Sequence, residues 1–172
     1  MKEIMNSEQL SRTLKRMTHE IIERHNDLKD IVFVGIMKKG VPIAETLKEN
    51  MKRFADIDIP VFALDIHAYR DDLDNKINPP RQELLIHEKH VILVDDVLYT
   101  GRSVRAAMDA ISDYGRPKQI ELAIVIDRGH RELPIRADYI GKNIPTSHSE
   151  KVIVDYENKC VYLEEHLWYT RY

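Results

Sequence analysis

The 172 residues contain one cysteine, Cys160. An internal disulfide is excluded, and a reducing cytoplasm is the expected compartment. Long apolar runs are missing as well. Stretches such as 91–94 and 123–126 fall far short of the ~20 residues a membrane-spanning helix needs. Residues 1–10 carry no apolar core of a secretory leader and no small-residue cleavage site, so neither leader nor membrane contact is expected. Nor is there an excess of basic charge: 26 Lys and Arg stand against 29 Asp and Glu, a formal net charge of −3. Any nucleic-acid contact must come from a local basic patch. No repeat or low-complexity segment breaks the chain. A composition of 43% hydrophobic and 32% charged residues is that of an ordinary globular protein. The length suits one domain, 1–172, with its own core.

The periodicities alternate. Asn6 is placed to cap a helix starting at Ser7, with Gln9 as its capping partner. Leu10, Leu14, Met17 and Ile21 then recur at helical spacing, and the helix should end near 25–27. Residues 31–36 read as a buried strand. A tight turn at 37–40 leads into a helix to about Arg53, with Pro42 in its first turn. Strands are expected at 61–69, 91–96 and 121–127. A helix from about Arg102 to Tyr114 is stopped by Gly115-Arg116-Pro117. Shorter strands follow at 139–140 and 152–156, and 159–166 reads as the second arm of a terminal hairpin. Apolar strands alternating with amphipathic helices imply a parallel sheet covered on both faces. Ligands bind outside the carboxyl ends of such strands. The loops 37–40, 69–89, 95–103 and 127–133 all follow strands and are expected to converge.

The densest chemistry is at 91–103. A buried strand ends in two adjacent acids, Asp95 and Asp96, and a glycine loop then opens a helix. Ionised carboxylates only accept hydrogen bonds, and a pair of them suits the vicinal hydroxyls of a ribose. Gly101 permits positive φ and close approach of backbone to ligand. Thr100 and Ser103 add hydroxyls, and the helix start adds free N–H groups with a positive dipole end. Ribose acceptors followed at once by a phosphate cradle describe a ribose-5-phosphate pocket. The competing reading is that both acids only cap local backbone. Lys38 and Lys39, between Gly35 and Gly40, are placed to flank an anion-binding turn. Basic side chains also gather on the first helix (Arg12, Lys15, Arg16, His19, then Arg24) and at 128–142 (Arg128, Arg131, Arg136, Lys142). A solvated helix face is the bland alternative there.

Residues 91–103 resemble the phosphoribosyl-diphosphate motif of the type I phosphoribosyltransferases. The string Val-Asp-Asp-Val-Leu-Tyr-Thr-Gly-Arg at 94–102 is similar to the PyrR group, as are 127–146, 19–24 and 69–73. The resemblance covers roughly 10–154. It implies an α/β fold with a central, mainly parallel sheet flanked by helices, a flexible lid loop after Tyr69 and a small hood. It also implies a bacterial regulator of pyrimidine biosynthesis that binds a hairpin in leader mRNA when UMP or UTP is bound, causing transcription attenuation. The same group converts uracil and 5-phosphoribosyl diphosphate to UMP and diphosphate, with Mg²⁺ held mainly through the diphosphate substrate.

Carried onto this chain, the resemblance puts Asp95, Asp96 and Arg70 nearest the chemistry. It puts Lys38, Lys39, Val97, Leu98, Tyr99, Thr100, Gly101, Arg102, Ser103, Arg128 and the backbone near Val152 around substrate. Lys15, Arg16, His19, Arg24, Arg131, Arg136 and Lys142 fall at RNA-binding positions. A homodimer or larger homo-oligomer is implied. The group has a Thr-Arg pair where this chain has Lys38-Lys39, which lacks the bidentate arginine fork. It has a threonine at Lys15 and a longer stretch at 74–90. Three readings follow: a bifunctional attenuator, a salvage enzyme alone, and a nucleotide-binding regulator with little catalysis.

Overall fold

The computed structural model describes residues 1–70 and 84–165. In chain order they form β1 (Lys2–Met5), α1 (Ser7–Arg24), β2 (Ile31–Ile36), α2 (Gly40–Ala55), β3 (Val61–Leu64), a 3₁₀ turn (His67–Tyr69), β4 (His90–Leu98), α3 (Arg102–Ser112), β5 (Gln119–Asp127), β6 (Tyr139–Asn143), β7 (Glu150–Asp155) and β8 (Cys160–Glu165). Five strands make a parallel sheet in the order β3-β2-β4-β5-β6, and β1-β8-β7 make a small antiparallel sheet.

Strand alternation decides which helix meets which face. On β4, Ile92 and Val94 point to the side packed by α1 and α2, while Val91 and Leu93 point to the side packed by α3. Every residue of β2 is buried, as expected of a strand covered on both faces. Leu10, Leu14, Met17 and Ile21 of α1 lie in the first core, as their spacing requires. The capping box forms: Asn6 Oδ1 accepts from Gln9 N at 2.8 Å, and Asn6 N donates to Gln9 Oε1 at 2.9 Å.

Several bounds differ from the sequence expectation. The strand expected at 61–69 stops at Leu64, because Asp65 Oδ1 accepts the His67 N–H at 3.0 Å and turns the chain. β4 runs on through both aspartates to Leu98, since Asp95, Val97 and Leu98 keep their pairing with β5. α3 ends at Ser112, two residues early, and β6 extends to Asn143. The terminal hairpin forms as β7–β8. Its outer neighbour β1 is too short and polar to read from sequence. Only pairing with β8 gives it a partner. Of the lid loop expected after Tyr69, residues 71–83 lie outside the described residues.

Gly40 is a position where space alone dictates the residue. A Cβ there would sit 2.2 Å from the Val94 carbonyl oxygen, so α2 starts directly against β4. Gly40→Ala is expected to lower stability by about 1–3 kcal/mol, the usual range for overpacking a tight contact. A urea melt measures this, and a wild-type midpoint would show that the helix start yields freely.

Candidate functional site

The carboxyl ends of β2, β3 and β4 open on a cleft of ≈430 Å³ lined by Lys38, Lys39, Asp65, Arg70, Asp95, Asp96 and Ser103, among others. Three of the four expected loops thus meet. The fourth, 127–133, opens instead on a neighbouring cavity of ≈460 Å³ that includes Asp127, Arg131 and Arg136. The phosphoribosyl-type loop 95–103 stands between them and is bonded to the fourth loop along its length. Leu98 O accepts from Arg128 N at 3.0 Å, and Thr100 O accepts from Glu132 N at 3.0 Å and Leu133 N at 3.3 Å. Arg102 pairs with Glu132 at 3.0 Å.

Within the cleft, Asp95 is buried (9% exposed) and Asp96 is half-buried. Each accepts the N–H of the next residue: Asp95 from Asp96 at 2.8 Å, Asp96 from Val97 at 2.7 Å. Local capping is therefore real, but it takes one bond from carboxylates with about four acceptor sites each. Burial, and then the neighbouring Asp96, push the Asp95 carboxyl well above its ordinary range. Arg70 opposes that shift and donates to Ser103 Oγ at 3.1 Å.

Gly101 has φ 96°, the left-handed conformation expected of it, and precedes α3. Thr100 Oγ1 accepts from Arg102 N at 3.4 Å, while the remaining first-turn N–H groups have no acceptor within the helix itself. On the opposite rim α2 starts at Gly40, its positive end toward the exposed Lys38 and Lys39, and the Met37–Lys38 peptide is cis. Among the described residues no group of three or more His, Cys, Asp or Glu is arranged to hold a metal.

Arg128 and the backbone near Val152, expected at the base or nucleotide site, have these surroundings in the structure. Arg128 is 7% exposed, with Nε donating to Thr146 Oγ1 at 2.9 Å and Nη2 to Ser147 O at 3.2 Å and to Glu150 O. Its guanidinium lies 4.0 Å from the Tyr99 ring centre. It thus clamps the 144–150 connection onto Tyr99 rather than reaching the Asp95 cleft, because that connection leaves backbone carbonyls that need a donor. Desolvation lowers its pKa without threatening its charge. The Val152 side chain, on β7 of the small sheet, is buried and its backbone pairs with Leu163 of β8.

The basic face divides similarly. Arg16 donates to the Ile140 and Gly141 carbonyls at 3.1 and 2.6 Å and pairs with Glu20. Arg24 pairs with the buried Glu121 at 3.1 Å and with Asp138 at 3.3 Å. Both fasten α1 to the sheet. His19 stacks on Phe54 at 4.5 Å. Arg131 and Arg136 share one cavity, and Lys142 shares another with Arg12 and Arg16.

Asp65 and His67 also line the cleft, although no sequence motif singles them out; the rule that β-strand ends carry the site was the available signal. A further cluster joins residues that no motif connects: the Tyr99 hydroxyl meets His148 Nδ1 at 2.9 Å, and the His130 ring lies 4.3 Å from that of His148. No sequence spacing joins 99 to 148.

The family model described as "Phosphoribosyl transferase domain" matches residues 1–158. A "Bifunctional protein pyrR" from Enterococcus faecalis (strain ATCC 700802 / V583) is 53% identical over 162 residues, covering 92% of this chain and 91% of the relative. One from Haemophilus ducreyi is 52% identical, covering 90% and 89%. This chain belongs to the PyrR family. Among solved structures, a hypoxanthine phosphoribosyltransferase of Trypanosoma cruzi superposes with TM-score 0.75 at 17% identity, over 93% of this chain and 89% of that one. A hypoxanthine-guanine phosphoribosyltransferase of Bacillus anthracis gives 0.69 at 22%, over 84% and 83%. These likenesses establish the type I phosphoribosyltransferase fold for this PyrR member.

The raised Asp95 pKa has a stability consequence. The charged form is disfavoured in the folded state, so the fold loses stability as pH rises through the folded pKa. Asp95→Asn removes that burden. The ligand-free variant is expected to melt higher than wild type at pH 7.5, by about 2–4 °C for ~1 kcal/mol in a chain of this size. The gap should close as the pH falls and Asp95 protonates. A lower melting temperature at pH 7.5 would mean that the carboxylate stabilises the empty site.

Proposed function

We propose that the chain regulates pyrimidine biosynthesis genes by UMP-dependent binding of leader mRNA, with transcription attenuation as the outcome. We infer that it also converts uracil and 5-phosphoribosyl diphosphate to UMP and diphosphate. One observation carries the ligand assignment: two adjacent carboxylates share a cleft with an anion-binding turn and open beside a glycine-bent helix start. PyrR membership supports the two activities together. Ribose hydroxyls donate to Asp95 and Asp96, and the 5′-phosphate meets Thr100, Gly101 and the first turn of α3. The diphosphate lies by Lys38 and Lys39 at the start of α2. Val97 and Leu98 carry the loop between these ends.

Arg70, held on Ser103, adds positive charge at the phosphate side. Uracil sits beyond the ribose, toward Tyr99 and the backbone at Val152, with Arg128 holding Tyr99 from behind. As the bond to the leaving diphosphate lengthens, the sugar becomes oxocarbenium-like, and the acids that fix its hydroxyls also face that positive charge. Hard oxygen donors at Asp95 and Asp96 suit Mg²⁺ held through water and substrate oxygens. The ion supplies charge neutralisation on the diphosphate.

Lys15, His19, Arg131, Arg136 and Lys142 take the RNA, with Arg16 and Arg24 keeping α1 in place. Phosphate contacts supply affinity and unpaired bases supply specificity. A nucleotide that orders loop 95–103 also orders the backbone at 131–133, through the Thr100 carbonyl and the Arg102–Glu132 pair. By reciprocity RNA tightens the nucleotide equally. UTP acts as UMP does. A cytoplasmic homodimer or larger homo-oligomer belongs to the same reading. No helix among the described residues is long and apolar enough to cross a membrane. The Lys38-Lys39 pair favours a second reading, a regulator with little catalysis, since two point charges replace an arginine fork.

Titration of a pyrimidine-leader hairpin with and without UMP tests this. UMP is expected to tighten binding within the usual ~5–150-fold range of coupling. Glu132→Ala should leave each ligand's own binding near wild type and reduce that factor in part, since the backbone bonds to the Thr100 carbonyl remain. An RNA affinity indifferent to saturating UMP would end the linkage. RNA binding without UMP formation from uracil and 5-phosphoribosyl diphosphate would select the second reading.

A further inference from the structure

Between α1, α2 and the β7–β8 turn lies a cavity of ≈250 Å³ that the phosphoribosyl chemistry leaves unused. Its floor includes Leu10 and Leu14, each 2% exposed. Tyr156 lines one side, its hydroxyl bonded to that of Thr46. Deeper stands Asn50, 8% exposed, which donates to Thr18 Oγ1 at 3.3 Å. That bond leaves one amide hydrogen and the carbonyl oxygen of Asn50 without a partner among the described residues. A donor beside an acceptor is what a side-chain amide offers to the edge of a nucleobase.

Lys15 of α1, Arg53 of α2 and Lys159 of the turn surround the cavity. Among the described residues none of the three makes an ion pair, whereas their neighbours Arg12, Arg16 and Lys52 do. Glu49 is the one acidic residue in the lining. Three cations against one acid repel one another until an anion arrives. Phe54 connects this group to the face described above, stacking on His19 at 4.5 Å with the Arg53 guanidinium 5.5 Å from its ring.

We propose that this cavity receives one unpaired nucleotide of the RNA. Its base lies along Leu10, Leu14 and Tyr156 with an edge on Asn50, and its phosphate is held by Lys15, Arg53 and Lys159. Apolar and aromatic walls with cations around them are how proteins hold unstacked bases. The volume, below the ~300–1,000 Å³ of pockets that enclose drug-sized ligands, limits the occupant to a single nucleotide unit. An RNA strand rather than a free nucleotide is favoured because Arg53 and Phe54 join the cavity to His19, which the RNA reading above already places in the interface. The inference rests on the RNA reading above and extends its contact surface onto α2 and the small sheet.

The test uses the full chain and two leader hairpins, one with its unpaired loop and one with the stem fully paired. The Arg53→Ala/Lys159→Ala double variant should bind the looped hairpin at least ~5-fold more weakly. The slope of log affinity against log salt should become shallower by up to about 0.7–0.9, the contribution of the one phosphate that these cations help to hold. Ser11→Tyr, at an exposed position of α1 on the cavity rim, fills the space without touching the Asn50–Thr18 bond. It should weaken the looped hairpin and leave the paired stem unchanged. A wild-type-like thermal melt serves as the folding control for both variants.

Wild-type RNA affinity in both variants would remove the cavity from the interface while leaving the RNA reading intact. A wild-type chain that binds neither hairpin would remove both. A second equivalent of UMP that Ser11→Tyr blocks, with RNA binding unchanged, would assign the cavity to a free nucleotide and overturn the proposal.

Discussion

Two carboxylates side by side at the end of a buried parallel strand are the constraint around which the site is organised. Burial and mutual repulsion both oppose ionisation of Asp95. The protein answers only in part, with one backbone N–H for each acid and Arg70 nearby. What it leaves open is acceptor capacity facing a cleft. In the proposed function, the ribose hydroxyls are the donors that this open acceptor capacity would take.

The second organising feature is the continuity of the 95–103 loop with 127–133. In parallel sheets adjacent strand ends lie side by side, and here the backbone of one loop bonds directly to the next. The segment bearing Arg131 and Arg136 is therefore attached to the segment that we propose takes the sugar phosphate. A coupling between a small ligand and a large polyanion then needs no long path. It needs one shared backbone, with the Arg102–Glu132 pair as its side-chain counterpart.

Charge on the surface divides by partner. Arg16 and Arg24 look, in sequence, like the most helical of the basic residues, yet both are committed to carbonyls or acids of the sheet. Arg53 and Lys159 are scattered in sequence and belong to no motif, yet they meet Lys15 at one cavity. Net charge and local spacing do not separate these cases, because the deciding quantity is whether an acceptor from another element lies within reach.

The sequence by itself determined the alternation of strands and helices, the capping box at Asn6, and the positive φ at Gly101. These depend on residues a few positions apart and on side-chain period, which a linear string contains. It also carried the phosphoribosyl loop, whose acids, glycine and hydroxyls lie within nine residues. Tertiary structure alone decided the pairing of β1 with β8, the clamp of Arg128 on Tyr99 and the meeting of Tyr99 with His148. Each is set by atoms far apart in the chain, and their contact energies exist only once the sheet has brought them together.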